Sequence, residues 1–104
     1  MGGYAKGRSF EHRVKRILEK EGYTVFRCAG SKPVDLIAIK KWDDRTEICL
    51  IECKLNGHLP EGQKEKLIEM ARRIGASAIL AYRGVKHDVI FWTLWAPRYR
   101  SQGS

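Results

Sequence analysis

Charged side chains interrupt two apolar segments of the chain where hydrophobic residues would be expected. Glu52 and Lys54 lie within the segment 47–55, and Asp35 lies at the entrance to the segment 34–40. Side chains alternate between the two faces of a strand, so Glu52 and Lys54 share a face and lie about 6–7 Å apart. A buried carboxylate is costly without a compensating cation, and Mg²⁺ binds carboxylates, waters and phosphate oxygens. The pattern predicts a metal site that contains Asp35 and Glu52 and is suited to phosphodiester hydrolysis.

A third carboxylate, Glu11, lies on a predicted amphipathic helix over residues 9–22, for which Gly22 is a typical C-terminal stop. The apolar residues of this segment recur at helical spacing, at Phe10, Val14, Ile17 and Leu18. Glu11 borders this apolar stripe, so we expect the helix to direct its carboxylate toward the sheet.

Two segments of the sequence carry a resemblance to a known family. They read Arg-Cys-Ala-Gly-Ser-Lys-Pro-Val-Asp-Leu-Ile-Ala at 27–38 and Cys-Leu-Ile-Glu-Cys-Lys at 49–54. Together they resemble the archaeal-type Holliday junction resolvases of the PD-(D/E)xK nuclease superfamily. The resemblance runs from Lys6 to Gly75, roughly two-thirds of the chain. It implies an α/β fold with a restriction-endonuclease-like core, in which helices flank a central mixed β-sheet.

The resemblance also implies an activity and a set of site residues. The activity is that of a Mg²⁺-dependent endonuclease that resolves four-way DNA junctions by paired symmetric nicks, with Mn²⁺ able to substitute. The implied catalytic residues are Glu11, Asp35, Glu52, Lys54 and Ser31. The predicted metal ligands are Asp35, Glu52, Glu11 and the main-chain carbonyl of Cys53.

Three other positions are compared with the family pattern. Gln63 resembles a glutamine that many superfamily members carry near the site. Val34 separates Pro33 from the aspartate, a spacing that also occurs in resolvases. His12 follows Glu11 where the family pattern has an arginine. The sequence therefore supports a phosphate contact at this position less strongly than an arginine would.

The charge of the chain indicates its partner. A formal net charge of +8 and a pI near 9.7 favour nucleic acid, here branched DNA. The alternative is a solvated basic surface with no ligand, which many proteins carry. The residues predicted to bind DNA are Arg8, Arg13, Arg27, Lys32, Arg72 and Arg73.

The cysteine content indicates a reducing compartment. The chain has three cysteines, an odd number, and neither a signal peptide nor a long apolar span, so we expect a cytoplasmic protein without membrane contact. Cys49 and Cys53 are about 13 Å apart if they share a strand face, too far for a disulfide or one zinc ion. No small-molecule cofactor is predicted.

The rest of the sequence predicts a single nuclease domain over residues 1–104, with flexible tails at 1–6 and 99–104. The further predicted elements are strands near 24–28, 34–40, 47–55, 77–82 and 88–95, and a helix over 62–74 that ends at Gly75. The aromatic residues of the last strand, Phe91, Trp92 and Trp95, favour a core or subunit interface over base stacking.

Three functions agree with these features. The first is a junction resolvase that acts as a homodimer, because a four-way junction has two-fold symmetry and each chain supplies one site. The second is a related nuclease that acts on flaps, restriction sites or damaged DNA. The third is a non-enzymatic DNA-binding module, in which Glu52 and Lys54 form a surface ion pair and Asp35 caps a turn.

Overall fold

The structure is a computed structural model that describes residues 2–28 and 34–98, with side chains from residue 8 onward in the first range. The elements are α1 Gly2–Lys20, β1 Thr24–Arg27, β2 Leu36–Lys41, β3 Thr46–Cys53, α2 Glu61–Ile74, β4 Ser77–Arg83 and β5 Val89–Trp95. Their order agrees with the prediction. Ser31 and Lys32, and the tail at 99–104, lie outside the described residues.

Helix α1 begins at Gly2 rather than near residue 9. Residues 2–6, which the sequence predicted as part of a tail, therefore belong to this helix. Residues 2–8 include three glycines, which disfavour a helix, so intrinsic propensity did not predict this extension. Helix α2 ends as predicted, because Gly75 adopts a φ of 76°, a left-handed conformation that favours glycine.

The five strands form one sheet in the order β1-β2-β3-β4-β5. Neighbouring strands are antiparallel except β3 and β4, which are parallel. Parallel strands require a crossover, and α2 provides it between β3 and β4. The predicted mixed sheet flanked by helices is therefore confirmed.

Each face of the sheet is covered by one helix. On the α1 side the buried residues are Phe10, Val14, Leu18, Val25, Leu36, Ala38, Cys49, Ile51 and Ala81. On the α2 side they are Val34, Leu50, Leu67, Ala71, Ala76 and Ala78. Successive residues of β3 alternate between these two clusters, with Ile51 on the α1 side. Glu52 therefore belongs to the α2 side. Among the described residues, no helix is long and apolar enough to cross a membrane.

A hydrogen-bond network closes the end of the sheet where β2 turns into β3. Glu47 Oε1 accepts hydrogen bonds from Tyr23 Oη at 3.0 Å and from Trp42 Nε1 at 2.8 Å. Lys40 Nζ lies 4.1 Å from the centre of the Trp42 ring and donates to the Glu21 carbonyl oxygen. Burial disfavours the Glu47 charge, but these hydrogen bonds outweigh it and lower the pKa of the carboxyl. The network ties the β2–β3 turn to the residues that follow α1.

Replacing Glu47 by alanine should destabilise the fold, because Tyr23 and Trp42 lose their common acceptor. We expect the free energy of unfolding to fall by about 1–3 kcal/mol, measured by urea denaturation. Asp43→Ala is the matched control, since it removes an exposed carboxylate from the same turn and should cost less than about 0.5 kcal/mol. Equal losses in the two variants would contradict the role assigned to Glu47.

Candidate active site

The register of β2 against β3 brings Asp35 beside Glu52. The antiparallel ladder ends at the pair Leu36 with Ile51, and Asp35 and Glu52 are the residues next to this last pair. The Asp35 amide donates to the Ile51 carbonyl oxygen at 3.2 Å. The Cys53 amide in turn donates to Asp35 Oδ2 at 2.8 Å. Asp35 is only 5% exposed, so its carboxylate is fixed by the backbone around it.

Glu52 has an unusual electrostatic environment. Burial raises the pKa of its carboxyl from 4.5 to about 7, and the Asp35 charge and a hydrogen bond with the Asp35 side chain act in the same direction. The Lys54 charge and a hydrogen bond from the Asp35 backbone oppose this shift without cancelling it. Two carboxylates within hydrogen-bonding distance repel each other when both are ionised. A divalent cation would remove that repulsion, so this pair fits a metal site.

Lys54 follows the last residue of β3 and is held by the neighbouring strand. Its amide donates to the Ala81 carbonyl oxygen of β4 at 3.0 Å. The strand therefore does not fray at the point where Cys53 and Lys54 leave the sheet. Asp35, Glu52, the Cys53 main chain and Lys54 thus come together at one end of the sheet.

Glu11 contacts a different partner from the one expected. Its Oε1 accepts a hydrogen bond from Arg27 Nε at 3.1 Å, in an ion pair between α1 and β1. Among the described residues, no three histidine, cysteine, aspartate or glutamate side chains are placed to share a metal ion. The role of Glu11 as a metal ligand stays a prediction. No sequence signal predicted the Glu11–Arg27 pair, because the two residues are 16 positions apart on different elements.

The Glu11–Arg27 pair nevertheless lies near the carboxylates. Arg27 pairs with Leu36, the residue after Asp35. The next residue, Cys28, donates its amide hydrogen to the Asp35 carbonyl oxygen at 3.0 Å. The end of β1, the start of β2 and the end of β3 therefore share one edge of the sheet.

The other residues predicted to contact DNA or to assist the site lie on the two helices, and those in the last turn of α2 are at the end of the sheet where β4 begins. Arg8 lines a pocket with Ser9, His12 and Arg27, and Arg13 lines a neighbouring one on α1. Arg72 lies 5.8 Å over the Trp95 ring, and Arg73 is exposed in the last turn of α2. Gln63 is exposed in the first turn of α2. Their contacts with DNA stay predictions.

Comparison with known proteins identifies the family. A family model described as archaeal Holliday junction resolvase (Hjc) matches residues 3–100. The chain belongs to this family. One curated relative, the crossover junction endodeoxyribonuclease Hjc of Methanocaldococcus jannaschii, is 43% identical over 84 residues. The match covers 77% of this chain and 60% of the relative, so the chain spans less than two-thirds of that protein.

A solved structure of a family member supports the same fold. Hjc of Archaeoglobus fulgidus, described as a Holliday junction resolvase from an archaeal hyperthermophile, matches with a TM-score of 0.68 and 29% identity. The match covers 85% of this chain and 72% of that chain. The restriction-endonuclease-like fold is thereby confirmed. Membership of a resolvase family also implies dependence on a divalent metal, for which the Asp35–Glu52 pair provides suitable ligands.

Glu52→Gln should stabilise the metal-free protein, because it removes the repulsion between the two carboxylates. The pKa of Glu52 is raised in the fold, so its charge lowers stability as the pH rises from about 4.5 to about 7. The free energy of unfolding of the variant should therefore equal that of the parent protein near pH 4.5 and exceed it at pH 8. A gain of about 1 kcal/mol would raise the Tm by about 4–8 °C.

Thermal unfolding at both pH values, with and without Mg²⁺, tests this expectation. Mg²⁺ should raise the Tm of the parent protein and raise that of Glu52→Gln much less. Glu65→Gln is the same change at an exposed position of α2. It should leave unchanged both the Tm at pH 8 and the rise in Tm caused by Mg²⁺. A lower Tm for Glu52→Gln at pH 8 would contradict the repulsion described here.

Proposed function

We propose that the chain is a metal-dependent endonuclease that resolves four-way DNA junctions by paired symmetric nicks. The observation that carries this proposal is the Asp35–Glu52 pair, held by the β2–β3 register beside Lys54, in a chain of the resolvase family. A non-enzymatic DNA-binding module gains nothing from two adjacent carboxylates that repel phosphate. The electrostatic cost of the pair is explained if it binds a cation during catalysis.

The metal ligands that we propose are the carboxylates of Asp35 and Glu52 and the main-chain carbonyl of Cys53. Mg²⁺ is the expected ion, with Mn²⁺ as a substitute, because all of these ligands are oxygen atoms. When bound, such an ion lowers the pKa of a coordinated water and neutralises charge on the scissile phosphate. The Cys53 amide, which donates to Asp35 Oδ2 at 2.8 Å, keeps the second oxygen of that carboxylate oriented.

Lys54 supplies the positive charge of the site. Its ammonium is close enough to Glu52 to lower the pKa of that carboxyl against the effect of burial. It donates hydrogen bonds to the attacking water or to the phosphate oxygen on which charge develops. Ser31, by the resemblance described above, contacts the scissile phosphate. The remaining predicted DNA contacts, Arg8, Arg13, Lys32, Arg72 and Arg73, bind the backbone of the junction arms.

Recognition should depend on the shape of the DNA rather than its sequence. The residues proposed here contact phosphates, and phosphate contacts position DNA without distinguishing bases. A formal net charge of +8 gives the long-range attraction such binding requires. The DNA substrate and the odd number of cysteines, three in the chain, favour a cytoplasmic location.

The protein is proposed to act as a homodimer. A four-way junction must be cut on two strands, and each chain supplies one pair of carboxylates, so a two-fold dimer matches the substrate. The edge strand β5 is the candidate interface, because Phe91 and Trp92 on it are 37% and 55% exposed. Large exposed aromatic side chains on an edge strand favour burial by a partner.

Asp35→Asn and Glu52→Gln should separate binding from cleavage. Each removes a charged metal ligand and leaves the basic residues in place, so cleavage should fall by at least about a hundredfold while junction affinity is kept or improved. The measurement is cleavage of a synthetic four-way junction in Mg²⁺, with binding followed in EDTA. Glu65→Gln is the control and should cut normally. Substantial Mg²⁺-dependent cutting by both site variants would remove the basis of this assignment.

Solution mass and nick pattern test the homodimer. The protein should have the mass of two chains, and a junction should receive two symmetric nicks that leave ligatable duplexes. Trp92→Ser should shift the mass toward one chain and lower paired nicking, because it removes exposed apolar surface from β5. Trp42→Ser, on the far β2–β3 turn, is the control and should leave the mass unchanged. A single chain in solution and on DNA, with unpaired nicks, would favour a flap or repair nuclease of the same superfamily.

A further inference from the structure

The hairpin between β4 and β5 projects from the end of the sheet that carries the carboxylates. Strands β3 and β4 are parallel, and Glu52 lies level with Leu80. Strand β4 continues past Leu80 to Arg83, which is about 10 Å further along a strand. The turn that follows therefore lies beyond the level of the carboxylates, at the end of the sheet that a DNA substrate approaches.

The hairpin is fixed relative to the strand that carries the site. The Arg83 amide donates to the carbonyl oxygen of Leu55, the residue after Lys54, at 3.3 Å. Gly57, in the same loop, packs against the Tyr82 ring, since a Cβ on Gly57 would be 3.4 Å from Tyr82 Cδ2. The β3–α2 loop and the base of the hairpin thus hold each other in place. The fold therefore sets the position of the turn relative to Lys54.

Two residues occupy the tip of the turn. The His87 amide donates to the Gly84 carbonyl oxygen at 3.0 Å, which makes Val85 and Lys86 the central residues of a β-turn. His87 adopts a φ of 64°, the left-handed conformation that commonly follows such a turn in a hairpin. The Gly84 amide donates to the Asp88 carbonyl oxygen at 2.8 Å and closes the hairpin. These features hold the side chains of Val85 and Lys86 at the tip.

The tip has an unusual composition for a turn. Turns favour glycine, proline, asparagine, aspartate and serine, whereas Val85 is β-branched and apolar. Its exposed fraction is 98%, higher than that of any other large apolar residue that the structure describes. A single exposed valine has little meaning by itself. This one lies at the catalytic end of the sheet beside an exposed cation, Lys86.

DNA offers such a tip two kinds of contact. Lysine binds phosphates, which every DNA presents. An apolar side chain gains from contact with bases rather than phosphates, and within a duplex it reaches the base faces only where a step is unstacked, which costs free energy. At the branch point of a four-way junction the strands pass from one arm to another, so the base pairs there open more readily than those within an arm. The apolar contact is therefore less costly at a branch point than in a linear duplex.

We propose that the tip of the β4–β5 hairpin recognises the branch point of the DNA, where Val85 contacts bases and Lys86 binds the adjacent backbone. The residues assigned to DNA above contact phosphates, and phosphate contacts alone do not distinguish a junction from a linear duplex. The hairpin supplies that distinction beside the metal site. The inference rests on the proposed function and extends it to the choice of substrate.

Three variants test the proposal. Val85→Ser removes the apolar group, Val85→Ile keeps it, and Lys86→Ala removes the cation. Affinity for a four-way junction, a flap and a linear duplex is measured in EDTA over a range of salt concentrations. A fluorescent adenine analogue that brightens when unstacked is placed either at the branch point or in the middle of an arm. Lys41→Ala is the control for Lys86→Ala, because Lys41 is an exposed lysine at the far end of β2 from Asp35.

Val85→Ser should lower the affinity for the junction about fivefold and leave that for the linear duplex unchanged, because the apolar contact forms only at the branch point. Val85→Ile should bind as the parent protein does. Binding should brighten the analogue at the branch point, less so with Val85→Ser, and should not brighten it within an arm. Lys86→Ala should weaken binding to every DNA and reduce the salt slope by about one unit. Lys41→Ala should leave the slope unchanged.

Two results would overturn the proposal. One is a ratio of junction to duplex affinity that is the same in Val85→Ser as in the parent protein. The other is an unchanged brightening at the branch point with that variant. The side chain of Val85 is almost fully exposed, so its replacement should leave the Tm and the solution mass unchanged.

The flap substrate separates failure of this inference from failure of the proposed function. If the parent protein neither prefers nor cuts a junction, the proposed function fails. The ratio of flap to duplex affinity then decides the role of the hairpin. A lower ratio in Val85→Ser than in the parent protein supports branch-point recognition, and an equal ratio overturns it.

Discussion

The antiparallel pairing of β2 with β3 is the constraint on which the rest of the site depends. Leu36 lies opposite Ile51, and this register places Asp35 beside Glu52. A slip of one residue would turn every side chain of one strand to the opposite face of the sheet. It would therefore displace Leu36 or Ile51, both 0% exposed, from the α1 core. The apolar residues that stabilise the fold are thus the same ones that keep the two carboxylates together.

Strand β3 carries a glutamate near each end, and the fold treats the two in opposite ways. Both are partly buried, which by itself disfavours the charge. At Glu47, hydrogen bonds from Trp42 and Tyr23 outweigh burial and lower the pKa of the carboxyl. At Glu52, the neighbouring Asp35 adds to burial and raises the pKa to about 7. Glu47 thus accepts hydrogen bonds that stabilise its charge, whereas Glu52 lies beside a second carboxyl group that destabilises its charge. The Asp35–Glu52 end therefore carries an electrostatic cost that a bound divalent cation would offset.

The sequence was informative wherever a local pattern determines the structure. Alternation in the apolar segments predicted the β2 and β3 strands. Gly75 marked the end of α2, because glycine favours the left-handed conformation that ends a helix. The Asp35–Glu52 pair was predictable because two adjacent strands of similar length have few ways to pair. The partner of Glu11 was not predictable, since the direction of a side chain across α1 and β1 depends on how the helix packs. The start of α1 was also missed, because residues 2–8 include three glycines and lack apolar periodicity.

Charge separation across the sheet explains how an acidic site functions inside a basic protein. The chain has 20 lysines and arginines against 12 acidic residues, so unpaired cations near Asp35 would be expected to neutralise it. Arg27 ends the strand next to Asp35, but its cross-strand partner Leu36 lies in the α1 core, so the Arg27 side chain is on the α1 face of the sheet. There it pairs with Glu11 through a hydrogen bond of 3.1 Å. The register of the sheet therefore directs this arginine away from the face to which Glu52 belongs. The repulsion within the Asp35–Glu52 pair is then left for a bound divalent ion to remove.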